Sequence, residues 1–291
     1  MKEIICNLLA LLYFSFAVAQ ENSLLWEIES TQLVKPSYLY GTMHSRDKRA
    51  HEFGDSVLAK LNECGAIALE ILISEATANP LAMLGYIMMK DTTLDMLLNE
   101  EDYQLVKSYA AENLGMYAML IDKLMPIFVA GLITEMMMGD DMETTVDEFF
   151  EKTAMEKEKM TIGIETIEEQ LSALSQISLK EQAEMLAEQL QTMDEDSVTF
   201  EKLMECYREQ NLKCLHEIYA SEGISESFDK ALVDSRNRVM AHRVDSIIRL
   251  QPTFIAVGAL HLPGENGLIE LLRKSGFTVS PVFSNYSRKK E

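Results

Sequence analysis

The sequence predicts an α/β protein: a mixed β-sheet built from two related halves, each reading strand, Gly-x-x-His, helix and strand, with a long α-helical insertion between them. The first observation is a pair of matching segments, residues 38–44 and 255–261, each an apolar, β-prone run that ends in Gly-x-x-His. Both segments are followed by a helical pattern, a glycine that ends the helix and another apolar run. This is the order of a parallel crossover unit. The third observation is the helical periodicity that fills most of the chain between them. We interpret the two segments as an internal repeat.

The length of 291 residues suits one domain that carries a large insertion. Residues 1–19 are predicted to be a signal peptide, because an apolar stretch leads to a small-x-small cleavage site. Residues 20–291 then form the domain, with sheet halves at 20–75 and 251–285 and a mostly helical insertion at about 76–250. A retained membrane anchor is the alternative, but it requires a longer apolar span. The protein is therefore expected to be exported, either to the periplasm or outside the cell.

The charge balance is strongly acidic, with 26 basic and 47 acidic residues and a formal net charge of -21. Such a charge repels phosphate backbones, so we expect no nucleic-acid partner. The best candidate for a second span, residues 124–134, is interrupted by Pro126 and is too short for a bilayer, which indicates a buried helix. We therefore expect no membrane span after signal cleavage. Cations and basic peptides are partners that this charge would not repel. The alternative is that the acidic residues only keep an exported protein soluble.

The first half of the predicted sheet begins with residues 24–28, in which apolar and polar side chains alternate weakly. A Pro-Ser turn follows this segment. We expect this strand to pair with residues 38–40. Residues 45–49 are too hydrophilic for a sheet and are predicted to form a loop on the rim beside His44.

The insertion carries recognisable helix signals. Asn99 is predicted to cap a helix over 103–114, and Ser178 opens a capping box for a helix that runs to about residue 193. Further helical patterns cover residues 198–209, 212–220 and 227–250, the last with a break near Asp234. One short β-branched run predicts a strand near 160–165.

Export makes disulfides relevant, since they persist outside the cytoplasm. Cys206 and Cys214 would lie about 12 Å apart along one continuous helix, beyond the roughly 7 Å limit for a bridge. A Cys206–Cys214 disulfide therefore requires a chain reversal near Gln210 and Asn211, and we predict both the reversal and the bridge. Cys64 is then left as a buried thiol.

Two histidines, His44 and His261, follow equivalent strands, where α/β sheets place their ligand sites. Either one alone would more often be a structural histidine, but a repeat brings the two strand ends together, and imidazole is a common ligand of divalent transition metals. Glu70, at the end of the next strand, completes a set of two histidines and one carboxylate. Glu165 is a further ligand or a general base. For an arbitrary glutamate, the alternative is a helix cap or a salt bridge.

Arg236 and Asn237 lie on the helix that leads directly into the second repeat's strand. A guanidinium and an amide beside a metal can orient a carbonyl or bind a carboxylate, so we expect them to contact substrate. The alternative is that they are ordinary polar residues on a helix. The sequence contains no Gly-x-Ser-x-Gly elbow, His-Glu-x-x-His helix, phosphate-binding glycine loop or dinucleotide fingerprint.

These motifs, in this order, resemble the TraB/GumN family within the wider TIKI, PrgY and erythromycin-esterase-like superfamily. The resemblance rests on residues 38–44, Ala-Leu-Glu70, Gly-Ile-Glu165, residues 235–240 and residues 255–264, which span nearly the whole mature chain. It implies that His44 and His261 bind metal and that Glu70, with Glu165, serves as ligand or base. The second repeat has Pro281 where the first has Glu70, so the expected site is asymmetric.

The function we expect is metal-dependent hydrolysis, of a peptide bond, in the cell envelope or outside the cell. The donor set suits manganese, cobalt, iron or zinc and does not distinguish among them. The alternative is a binding protein that uses the same cleft to hold a peptide or a small molecule, haem included, without turnover.

Overall fold

A computed structural model describes residues 22–78, 80–221 and 225–284, so the predicted signal peptide at 1–19 lies outside the described residues. Within this part of the chain, six strands form one sheet in the order β4-β3-β5-β2-β1-β6. The predicted α/β class is confirmed. The strands are β1 (Leu25–Glu29), β2 (Ser37–Thr42), β3 (Ala66–Leu69), β4 (Met160–Gly163), β5 (Thr253–Gly258) and β6 (Thr278–Pro281).

The sheet is mixed. Strands β4, β3, β5 and β2 are mutually parallel, whereas β1 pairs antiparallel with β2 on one side and with β6 on the other. The predicted pairing of β1 with β2 is present, with Trp26 opposite Leu39. Because the four parallel strands run in the same direction, their carboxyl ends lie along one edge of the sheet.

Helices surround the sheet and form the insertion. They are α1 (Asp55–Glu63), α2 (Ile73–Ala76), α3 (Pro80–Ile87), α4 (Leu94–Leu97), α5 (Glu100–Asn113), α6 (Pro126–Met137), α7 (Val146–Glu156), α8 (Ile167–Leu174), α9 (Leu179–Gln191), α10 (Met193–Arg208), α11 (Leu212–Ser221), α12 (Glu226–Asp229), α13 (Ser235–Leu250) and α14 (Leu268–Lys274). Short 3₁₀ segments occur as well, one of them at Lys48–His51 in the loop after His44.

Local sequence signals placed several helix ends correctly. The Asn99 side chain accepts from the Asp102 amide at the start of α5, and the Ser178 side chain accepts from the Glu181 amide at the start of α9. The break predicted near Asp234 is a π-helical segment, Lys230–Asp234, that leads into α13. No helix in the described part of the chain is long and apolar enough to cross a membrane.

The main hydrophobic core lies on the sheet. All six residues of β2 are buried, and β5 is buried from Thr253 to Val257, as expected for strands covered on both faces. Helices α1, α7, α10, α13 and α14 contribute apolar side chains to this core. A second core holds α5, α6 and α9 together and includes Val106, Val129 and Leu186. The insertion therefore has apolar packing of its own.

The predicted Cys206–Cys214 disulfide is present, with the two Cα atoms 5.7 Å apart. The chain reverses between α10 and α11, where Gln210 adopts a φ of 55°. Asn211 begins the return, because its side chain accepts from the Cys214 amide. Tyr207, next to the bridge, donates to the Gly41 carbonyl at 3.2 Å, so this helical hairpin contacts the first Gly-x-x-His motif.

Candidate functional site

The six residues singled out for the site all lie at the carboxyl edge of the sheet. His44 and His261 follow β2 and β5, which are adjacent strands with Thr42 opposite Gly258. Glu70 directly follows β3, the strand on the other side of β5, and Glu165 lies two residues beyond β4. Arg236 and Asn237 belong to the first turn of α13.

Glu70 is at the centre of this group. Its Oε1 atom accepts a 2.6 Å hydrogen bond from the Gly258 amide and lies 3.5 Å from His261 Nε2 and 3.9 Å from His44 Nε2. Burial raises the pKa of this carboxyl, but His261, His44 and Arg236 outweigh burial and hold the pKa well below its usual range. Glu70 is therefore an ionised acceptor inside the protein.

His44 is held by a residue that the sequence did not reveal. Its Nδ1 atom lies 2.5 Å from Oδ2 of Asp147, a buried residue of α7, while Thr42 donates to the other Asp147 oxygen at 2.9 Å. The Asp147 carboxylate raises the pKa of His44 to about 9. The His44 side chain is 57% exposed, and its Nε2 atom lies 3.9 Å from Glu70 Oε1.

His261 has the same arrangement with a neutral partner. Its Nδ1 atom lies 2.7 Å from Oδ1 of Asn237, whose Nδ2 donates to the Asn266 carbonyl at 2.8 Å. Because the amide nitrogen is used as that donor, Oδ1 accepts from Nδ1–H, which leaves a lone pair on Nε2. Burial lowers the pKa of His261, which favours this neutral imidazole.

Arg236 lies between the two glutamates. Its Nη2 atom donates to Glu70 Oε2 at 2.6 Å and to Glu165 Oε2 at 2.7 Å, and its Nε reaches both oxygens of Glu165. Gln170 lies 3.3 Å from one oxygen of each glutamate. The Glu165 side chain is only 4% exposed. Arg236 is therefore the shared cation of two buried carboxylates, and it holds the Oε2 side of Glu70.

The two glycines of the Gly-x-x-His motifs allow close approach. A Cβ atom at Gly41 would lie 3.0 Å from the Ala259 Cα atom, so β2 packs directly on the turn after β5. A Cβ at Gly258 would lie 3.1 Å from Glu70 Oε1 and 3.6 Å from His44 Nε2. Any larger residue at 258 would fill the space in front of Glu70.

The side chains of His44, Glu70 and His261 are the candidate ligands of a metal ion. Across residues 22–78, 80–221 and 225–284, no group of three or more His, Cys, Asp or Glu side chains lies in an arrangement that could hold one as it stands. The donor types of His44, Glu70 and His261 nevertheless suit a divalent ion. Both imidazoles have Nδ1 held by a partner and Nε2 within 3.9 Å of a single carboxylate oxygen, and ligands of a tetrahedral ion lie roughly 3.4 Å apart.

A cation would add attraction to this arrangement. The neutral His261 Nε2 and the ionised Glu70 Oε1 are both hydrogen-bond acceptors, so they do not hydrogen bond to one another, whereas His44, whose pKa is raised, brings a positive charge beside Glu70 when it is protonated. Nδ1 of each histidine is already committed to Asp147 or Asn237, which is the usual second interaction of a metal-binding histidine.

Comparison with known proteins gives two kinds of match. The model of the TraB/PrgY/gumN family matches residues 24–281. Metalloprotease TIKI1 of Danio rerio is 23% identical over 314 residues, covering 89% of this chain and 63% of the relative, and metalloprotease TIKI2 of the same species is 22% identical over 339 residues, covering 92% and 64%. The chain thus spans slightly less than two thirds of the length of these relatives. No solved structure matches.

Proposed function

Since the chain belongs to the TraB/PrgY/gumN family, we propose that it is a metal-dependent hydrolase that cleaves peptide bonds, in the cell envelope or outside the cell. The observation that carries the proposal is the convergence of His44 Nε2 and His261 Nε2 on one oxygen of Glu70. The distant relatives named metalloproteases support the reaction class.

We assign His44, His261 and Glu70 as the metal ligands. When bound there, a divalent ion supplies Lewis-acid polarisation of a carbonyl and lowers the pKa of a water molecule toward about 7. Asp147 and Asn237 fix the ring orientation of the two histidines, and the Gly258 amide fixes Glu70 Oε1.

Glu70 is a better candidate than Glu165 for contact with the metal. Both oxygens of Glu165 accept from Arg236, whereas Glu70 presents Oε1 to the histidines and only Oε2 to Arg236. The sequence predicts that Arg236 and Asn237 contact substrate. Their contacts support positioning roles instead, because Arg236 is occupied by the two glutamates and Asn237 by His261.

The direct test is cleavage of a mixed peptide library by purified protein loaded with manganese, cobalt or zinc, followed by mass spectrometry. We expect cleavage that stops with chelator and returns when the metal is restored. Metal binding without cleavage of any peptide would contradict the hydrolase and favour a protein that binds peptides or small molecules without turnover.

Asp147→Asn is expected to weaken metal binding by about 10–100-fold, because the amide is nearly isosteric but loses the charge that holds His44 Nδ1–H. The affinity is measured by competition with a fluorescent chelator. Asp141→Asn is the matched control, since Asp141 is exposed in the loop before α7. Equal affinities in the two variants would show that Asp147 does not act on the metal site.

A further inference from the structure

His44 lines an open groove of about 620 Å³ between the sheet edge and the helical insertion. One face of α6 supplies Ile127 and, three, four and seven residues further on, Ala130, Gly131 and Thr134. Met138 lies just beyond the helix. The lining also includes Met185 of α9 and Phe228 of α12. The groove therefore borders the proposed metal site through His44.

The lining of this groove is mainly apolar. The side chains of Ile127, Met138, Met185 and Phe228 are each only partly buried, so apolar surface faces the groove. Methionine side chains are flexible and polarisable, and they adapt to irregular apolar partners. A volume of this size is typical of ligand pockets, which range over roughly 300–1,000 Å³.

The charges in the groove are paired within the protein. His44, whose pKa is raised, contacts the Asp147 carboxylate. Among the described lining residues, Glu135 is the only acidic or basic side chain besides His44, and it pairs with Arg46 at 3.2 Å. With a net charge of -21, the protein as a whole repels anions. An apolar ligand that is neutral or basic at its ends matches these features.

We propose that this groove is the subsite for apolar side chains of the peptide substrate, and that Gly131 sets the room available there. This inference rests on the proposed peptide hydrolysis. It specifies peptides with leucine-like, methionine-like or phenylalanine-like residues beside the bond that is cut, and without aspartate or glutamate at those positions.

Gly131 offers a clean way to fill the groove. A Cβ atom at Gly131 would meet no atom within 4 Å, so a larger side chain enters open space without displacing the core. Gly85 of α3 is a matched control, because it is also an exposed helical glycine whose Cβ would meet nothing within 4 Å, and it does not line the groove. Replacing either glycine favours the helix.

The test measures binding of two blocked, fluorescently labelled hexapeptides to chelated protein, so that no peptide is cut. One peptide has two central leucines and the other has two central aspartates. We expect Gly131→Leu to weaken binding of the leucine peptide by about tenfold and Gly85→Leu to leave it unchanged, with the aspartate peptide at least about tenfold weaker on wild type. Melting temperatures of both variants at or above wild type show that they are folded.

Equal binding of the leucine peptide to wild type and Gly131→Leu, equal binding of the two peptides, or no binding of the leucine peptide would each overturn the inference. Cleavage by the metal-loaded protein separates it from the hydrolase proposal. Binding that depends on residue 131 without any cleavage would refute the hydrolase and keep the apolar groove. Cleavage with no preference for apolar residues, in wild type and Gly131→Leu alike, would support the hydrolase and refute the apolar subsite.

Discussion

Replacing His44 and His261 together by alanine is expected to remove the bound metal and to lower the rate of peptide cleavage by about 10³-fold or more. The two Nε2 atoms are the nitrogen donors that face Glu70, and their removal leaves a single carboxylate that is already paired with Arg236. A metal ion contributes several kcal/mol to transition-state stabilisation, and each ~1.4 kcal/mol changes a rate tenfold. Elemental analysis of the purified protein measures the metal, and peptide cleavage measures the rate.

His242→Ala is the control for this experiment. His242 is exposed on α13, away from the Glu70 cluster, so this variant should keep about one metal per chain and wild-type cleavage. If the double variant retained the metal of wild type, His44 and His261 would not be the ligands, and the proposed site would be wrong.

Arg236→Met is expected to lower the free energy of unfolding by about 3–5 kcal/mol, because it leaves two buried carboxylates without their shared cation. The Glu70 and Glu165 side chains are 6% and 4% exposed, and Arg236 donates to both at 2.6 and 2.7 Å. Methionine keeps the apolar stem and removes the charge. Urea denaturation in the presence of chelator measures the change, since a bound metal would mask part of it.

Arg243→Met is the matched control, seven residues further along α13. Arg243 pairs with Glu169, but both side chains are more than a third exposed, so its ion pair contributes about 0–1 kcal/mol. If the two variants lost similar free energies of unfolding, the buried ion pairs of Arg236 with Glu70 and Glu165 would contribute no more to stability than an exposed pair.

The sequence by itself determined the local structure. Helix caps at Asn99 and Ser178 depend on a side chain and an amide three residues away, so short-range chemistry places them. The disulfide followed from the reach of a helix, because residues eight apart bridge only across a reversal. The sequence also predicted that the Gly-x-x-His strands deliver their histidines to a sheet edge, since parallel strands end on the same side.

The tertiary structure decided which groups touch. Asp147 lies 103 residues from His44, and its sequence context signals only the start of α7, so nothing local marks it as the partner of an imidazole. The apolar run of α6 indicates a buried helix without showing that one face borders His44. Likewise, the sequence presented Arg236 as a substrate contact or as an ordinary polar residue on a helix. Only the fold shows that it pairs with Glu70 and Glu165, two buried carboxylates that need a cation. Local propensity fixes elements, whereas these contacts depend on how distant elements pack, and that is why only the three-dimensional fold shows them.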